Sequence, residues 1–184
     1  MRLEFPFALS DPRILYETPF GSVEFGKDEM PNTYRGDGTR WVQKWIDLSE
    51  KDFGVTLGAG CCAVNFCGSR VAPVLLSTTY CRGDAFYWVT NEGRHRFRFS
   101  LVAHDGDFVA NRSYGVGWEQ WQPLRVTRPN PRLLGVPHLR ILPPQAGYLA
   151  CDHPAAVVTA LKRTDDAEGY AFRLFNVCLL YTSP

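Results

Sequence analysis

His95-Arg96-Phe97-Arg98-Phe99-Ser100-Leu101-Val102-Ala103-His104 is the stretch that decides the fold class. Phe97, Phe99, Leu101 and Ala103 fall on one side of a two-residue period, and Arg94, Arg96, Arg98 and Ser100 fall on the other. A helical period would scatter the rings around the axis, so the segment reads as a strand with one face on a core. The same alternation opens the chain, with Leu3, Phe5, Phe7 and Leu9 opposite Arg2 and Glu4.

Working outward, further strands are predicted at 14–16, 55–57, 63–66, 74–78, 86–89, 139–142, 157–162 and 170–175, all rich in Val, Phe, Tyr and Leu. Turn residues separate them at 36–38, 91–93, 105–107 and 165–169. Trp41, Val42, Trp45, Ile46 and Ser49 also suit one face of a short helix; a strand is the preferred reading. Between Gln122 and Pro144 the prolines at 123, 129, 131, 137, 143 and 144 rule out most central strand or helix. This stretch reads as an ordered crossing between two sheet systems, with a boundary near Thr127. Many strands with no convincing helix predict an all-β fold of stacked antiparallel sheets, a β-sandwich.

The chain has 184 residues, 45% hydrophobic and 21% charged, which is the balance of a globular protein able to bury its own core. A net charge of +1 gives no field to attract nucleic acid or anionic lipid, so neither is an expected partner. No run approaches the roughly 18–20 apolar residues of a membrane span. Cys61, Cys62, Cys67, Cys81, Cys151 and Cys178 repeat no zinc-ribbon or finger spacing. They read mostly as buried thiols of a reducing compartment, which favours the cytoplasm.

Several segments resemble the C-terminal β-domains of glycoside hydrolase family 38, the α-mannosidases. Tyr16-Glu17-Thr18-Pro19-Phe20-Gly21 resembles a "YEIPFG" element, and Trp45-Ile46-Asp47-Leu48-Ser49 with Phe53-Gly54-Val55 is similar to "WADLS…YGV". Residues 95–107 resemble "HxFxFALxxHxGD", and Pro123-Leu124 follows where the family carries that pair. Thr159-Ala160-Leu161-Lys162-Arg163, Asp165-Asp166 and Arg173-Leu174-Phe175-Asn176 are similar to "TALKxxEDG…RLYE". The order is the family's, over nearly all of residues 1–176. Residues 58–80 depart from it, lacking the "NDCKYGY"-like strand, which leaves subfamily and substrate open.

The resemblance implies that residues 1–126 belong to a large galactose-mutarotase-like β-supersandwich. Residues 127–184 would then be the proline-rich crossing and a truncated terminal β-sandwich. A sheet stopped at this tail would leave unpaired edges, so 177–184 is expected to be an artefact of an incomplete frame. The family's members are retaining enzymes whose zinc ion grips the sugar hydroxyls, in a catalytic domain N-terminal to these sheets. By the resemblance, the partners are that catalytic domain and, through the parent enzyme, an α-mannoside glycan. No catalytic residue, cofactor site or metal ligand of the family carries over onto this chain.

Read on their own, the acids point the same way. Most glycosidases need two carboxylates, roughly 5–5.5 Å apart for retention or 6.5–9.5 Å for inversion. Asp47, Asp52, Asp105, Asp107, Asp165 and Asp166 are the candidates, and the last four sit in turn sequences. The histidines, at 95, 104, 138 and 153, are scattered; His104 with Asp105 and Asp107 is the one grouping with donors for a metal, and it lacks a converging set. Asn111-Arg112-Ser113 fits a glycosylation sequon. Arg94, Arg96 and Arg98 form a basic strip, expected to be solvated or paired across strands. Trp118, Trp121, Tyr114 and Tyr148 lie in or near loops, where flat rings stack on sugar C–H faces or pack sheet edges. Trp118 and Trp121 are the candidate sugar contacts. A non-catalytic part of an α-mannosidase is therefore the leading reading, and a stand-alone carbohydrate-binding β-sandwich is the alternative. A jelly-roll shell protein fits the strands alone.

Overall fold

The computed structural model describes residues 1–19, 21–27, 29, 38–60, 62–77, 79–81, 87–89, 91–126, 145, 147 and 149–178. Within them the fold is all-β apart from one short helix, and every strand pairing is antiparallel. Five strands form the central sheet: β2 (Arg13–Thr18), β3 (Gly21–Glu24), β5 (Trp45–Ser49), β6 (Gly54–Gly58) and β11 (Ser100–His104), in the order β11-β6-β5-β2-β3. A second sheet combines β1 (Phe5–Pro6), β4 (Thr39–Val42), β7 (Cys62–Cys67) and β8 (Arg70–Pro73), in the order β1-β8-β7-β4. Two hairpins complete the strands, β9 (Thr79–Cys81) with β10 (Tyr87–Val89), and β12 (Ala156–Arg163) with β13 (Tyr170–Asn176).

The core of the sandwich lies between the first two sheets. Alternation puts Ile14, Tyr16, Val23, Ile46, Leu48 and Leu57 on one inner face, and Val42, Val64, Phe66 and Val71 meet them from the other. The opposite face of the central sheet is buried as well. There Leu15 and Trp45 pack against Phe108, Tyr114, Ala155 and Val177, with Phe175 and Trp118 around them. The central sheet is thus the middle layer. On its second face it is covered by the segment after β11 and by the β12–β13 hairpin.

The helix α1 (Gly115–Trp121) was not expected from the sequence. Two glycines in Gly115-Val116-Gly117 argue against a helix by intrinsic propensity, and tertiary packing overrides that. A methyl group built on Gly117 would lie 2.5 Å from the Lys44 carbonyl oxygen and 2.8 Å from Trp45 Cβ, so only glycine lets the helix lie flat on β5. Gly117→Ala is therefore expected to destabilise the chain by about 1–3 kcal/mol, the range for overpacking a tight contact. The urea midpoint would fall with unchanged slope, and a midpoint equal to the parent's would disprove the contact.

The decisive stretch is a strand over a shorter span than expected. Only Ser100–His104 is β11, pairing with β6 in the register Leu101 to Leu57 and His104 to Gly54. Residues 91–99 follow an irregular path, although Phe99 still packs on the core. Leu101 lies on the apolar side as the alternation requires, yet it is exposed, because β11 is an edge strand. Of the expected strand at 74–78, the described residues 74–77 show a single bridge, between Val74 and Arg2. The opening alternation holds for Leu9, Phe5 and Phe7, which reach the core, while only Phe5–Pro6 is strand. The segment at 41–49 is two strands and not a helix. The expected strand at 139–142, the crossing from 127 to 144, Cys61, His138, Tyr148 and the tail from 179 lie outside the described residues.

Candidate functional site

Among the described residues, a cluster of titratable and hydroxyl groups lies on the second face of the central sheet. In β5, Asp47 alternates with the core residues Ile46 and Leu48 and so points away from the sandwich interior. Its neighbours across the ladder are Thr56 on β6 and Leu15 on β2. Asp47 is fully buried; its Oδ1 accepts hydrogen bonds from Thr56 Oγ1 at 2.6 Å and His104 Nε2 at 2.8 Å, and its Oδ2 accepts one from Ser49 Oγ. Thr56 Oγ1 also hydrogen-bonds Ser113 Oγ at 2.8 Å, which ties the two sheet strands to the segment that covers them. Gly54 makes room for the imidazole, since a Cβ there would overlap the His104 ring.

The chemistry of this cluster is that of a clamp. The hydrogen bond to Asp47 raises the His104 pKa against the opposing effect of burial, and the nearby backbone at Asp105 and Gly106 adds to the rise. His104 Nδ1 is buried with no partner at hydrogen-bond geometry. Both side chains are sealed: the neighbouring cavity of about 430 Å³ is lined by Arg13, Ser49, Glu50, Asp107 and Phe108, but by neither Asp47 nor His104. The buried pair joins β5 to β11.

A second buried charge joins the central sheet to α1. Glu17 in β2 is fully buried, and its Oε1 meets Lys44 Nζ at 3.1 Å, while its Oε2 has no partner. Burial raises the Glu17 pKa, and the Lys44 ammonium opposes the rise. The same Lys44 Nζ stands 3.9 Å above the centre of the Trp118 ring, and Phe175 of β13 meets that ring edge-on at 5.3 Å. The two expected sugar contacts are therefore separated. Trp118 is a packing residue of the second core, whereas Trp121, one turn further on, is 54% exposed. Tyr114 is buried as well, its hydroxyl donating to the Pro154 carbonyl at 2.5 Å.

Trp121 opens onto a groove of about 1020 Å³. Trp41, 72% exposed because its strand neighbour Val42 takes the core side, lines the same groove with Phe97, Arg2, Arg96 and Arg98. Sequence reasoning missed Trp41, whose short run suited either a helix or a strand. Only the parity of β4, set by the Trp41-to-Ala63 register, turns it outward.

The other candidates take local roles. Asp107 Oδ1 accepts from the Val109 and Ala110 amides, and Asp166 Oδ1 accepts from Thr164 Oγ1 and the Glu168 amide, as turn carboxylates do. Asp165 forms an exposed ion pair with Lys162 at 3.7 Å. Among the described residues no three His, Cys, Asp or Glu side chains are placed to hold a metal ion, so His104, Asp105 and Asp107 form no such site. In the sequon, Asn111 Nδ2 donates to the carbonyls of Asp105 and Asp107, and Ser113 is buried. Cys62, Cys67, Cys151 and Cys178 are free thiols, and against the expectation of burial none of the four is fully buried: Cys67 is exposed at the end of β7 and the other three are half-buried. Among the described residues no helix is long and apolar enough to cross a membrane.

Comparison with known proteins relates the chain to the α-mannosidases. It is 33% identical to mouse alpha-mannosidase 2C1 over 114 residues and 31% identical to the human protein over 116, each match taking in 59% of this chain. Alpha-mannosidase G of Dictyostelium discoideum is 23% identical over 163 residues, or 84% of the chain. The matches span only 10% of the first two proteins and 14% of the third. No protein-family model matches the chain.

Proposed function

We propose that the chain is part of the non-catalytic C-terminal β-region of an α-mannosidase-like glycoside hydrolase of family 38. Residues 1–126 would contribute to a β-supersandwich, and residues from 127 onward would begin a smaller terminal sandwich. The observation that carries this reading is the 33% identity to an α-mannosidase in a chain that folds as antiparallel sheets. An unfinished surface supports it: Leu161, Tyr170, Phe172 and Leu174 line one face of the β12–β13 hairpin, all more than half exposed. A two-stranded ribbon is marginal alone and an apolar face of this kind calls for a cover. In the proposed parent, hydrolysis of terminal α-mannosides, with its zinc ion and covalent glycosyl intermediate, belongs to a separate catalytic domain. The purified 184-residue chain is expected to give no turnover of an aryl α-mannoside with or without added zinc; zinc-dependent turnover would sink the reading. The groove with two exposed tryptophans favours a second reading, a β-sandwich that itself holds carbohydrate.

A further inference from the structure

We infer that the groove between Trp41 and Trp121 is a binding site for a carbohydrate that bears an anionic group. Three side chains make the charge side of the case. Arg2, Arg96 and Arg98 all line the groove and all are exposed. No ion pair of theirs occurs among the described residues, whereas Arg13, Arg40 and Arg70 are each matched to a glutamate. No Asp or Glu among the described residues lines the groove. Unmatched guanidinium groups gathered over one concavity favour an anion, which they grip through paired N–H donors.

The aromatic residues supply the rest of the recognition. Trp41, Trp121 and Phe97 are exposed, which is costly for large rings in water unless a ligand covers them. An indole face presents a flat, polarisable surface to the C–H face of a pyranose, while the arginines hold a charged substituent at its rim. Trp41 stands on a strand and Trp121 on a helix seated on the sheet by Gly117, so both platforms have rigid supports. The choice of a sugar over other anions rests on the relationship to the α-mannosidases.

The test titrates the 184-residue chain with methyl α-mannoside 6-phosphate, methyl α-mannoside and inorganic phosphate, followed by tryptophan fluorescence. The phosphorylated sugar is expected to bind about ten-fold or more tightly than either other probe, equivalent to about 1.4 kcal/mol. Arg96→Gln with Arg98→Gln should remove that advantage, bringing the two sugars to equal affinity. Trp41→Ala or Trp121→Ala should weaken both sugars, and circular dichroism melts confirm that these surface variants fold. Equal binding of inorganic phosphate would reduce the site to an adventitious anion site and overturn the proposal. Equal binding of the two sugars would also overturn it, because the arginines would then select nothing. Binding of none of the probes removes the site altogether and leaves the groove as a surface that a further domain covers. No arm measures turnover, so failure here leaves the mannosidase reading to its own assay.

Discussion

Asp47→Ala is expected to cost about 3–5 kcal/mol of folding free energy, the range for stripping one partner from a buried ion pair. The loss is a large part of the roughly 5–15 kcal/mol that holds a typical domain. Asp47 is the acceptor shared by three donors on three strands, Ser49, Thr56 and His104, and of these Thr56 and His104 are buried away from the water that could replace the carboxylate. Urea denaturation of the variant beside the parent measures the effect; a midpoint within error of the parent's would refute the clamp. The pair also predicts a slope with pH. The folded His104 pKa is raised above its unfolded value near 6.5, so its contribution is fully present below that pH. It fades as pH rises through the raised folded value. His104→Gln should flatten that part of the stability profile, and an unchanged slope would mean that another group titrates there.

Lys44→Met is the other large effect, again about 3–5 kcal/mol, because it leaves the Glu17 carboxylate buried with no counter-charge. The methionine keeps most of the stem that lies near Trp118, so the loss reports charge more than packing. Glu17 already has a raised pKa from burial, and without the ammonium it rises further. The variant should therefore be most stable in acid, where Glu17 is protonated, and lose stability as pH climbs through the folded value. Adding Glu17→Gln to Lys44→Met removes the stranded charge and should restore most of the loss, an interaction that a double-mutant cycle isolates. If the double variant is no more stable than Lys44→Met, the two residues are not coupled and the pairing is wrong.

Both clamps were hidden in the sequence for the same reason. In Trp45-Ile46-Asp47-Leu48-Ser49 the strand reading, preferred over a helix, places Ile46 and Leu48 on one face, and the structure lays that face on the core. The same reading assigns Asp47 and Ser49 to the other face, which for a polar face is ordinarily water. Nothing local shows that residues 105–121 and the β12–β13 hairpin cover that face. Trp45 could have given the hint, since a tryptophan on the polar side of an alternating strand needs a partner. The candidate groove was legible only in part: Trp121 and the arginine strip were named, but Trp41 was ambiguous and Trp118 belonged to the second core.

By itself the sequence determined the fold class, the stacking of antiparallel sheets and the kinship with α-mannosidases. All of these follow from a period-two pattern and from ordered local matches, which need no knowledge of distant neighbours. Tertiary structure alone decided that a glycine-bearing segment would be helical and that one acid would be sealed against a histidine. It also decided which of two tryptophans would meet solvent. Those outcomes depend on which segment lies over which face, a long-range choice made by the total burial of the chain and written in no single stretch of it.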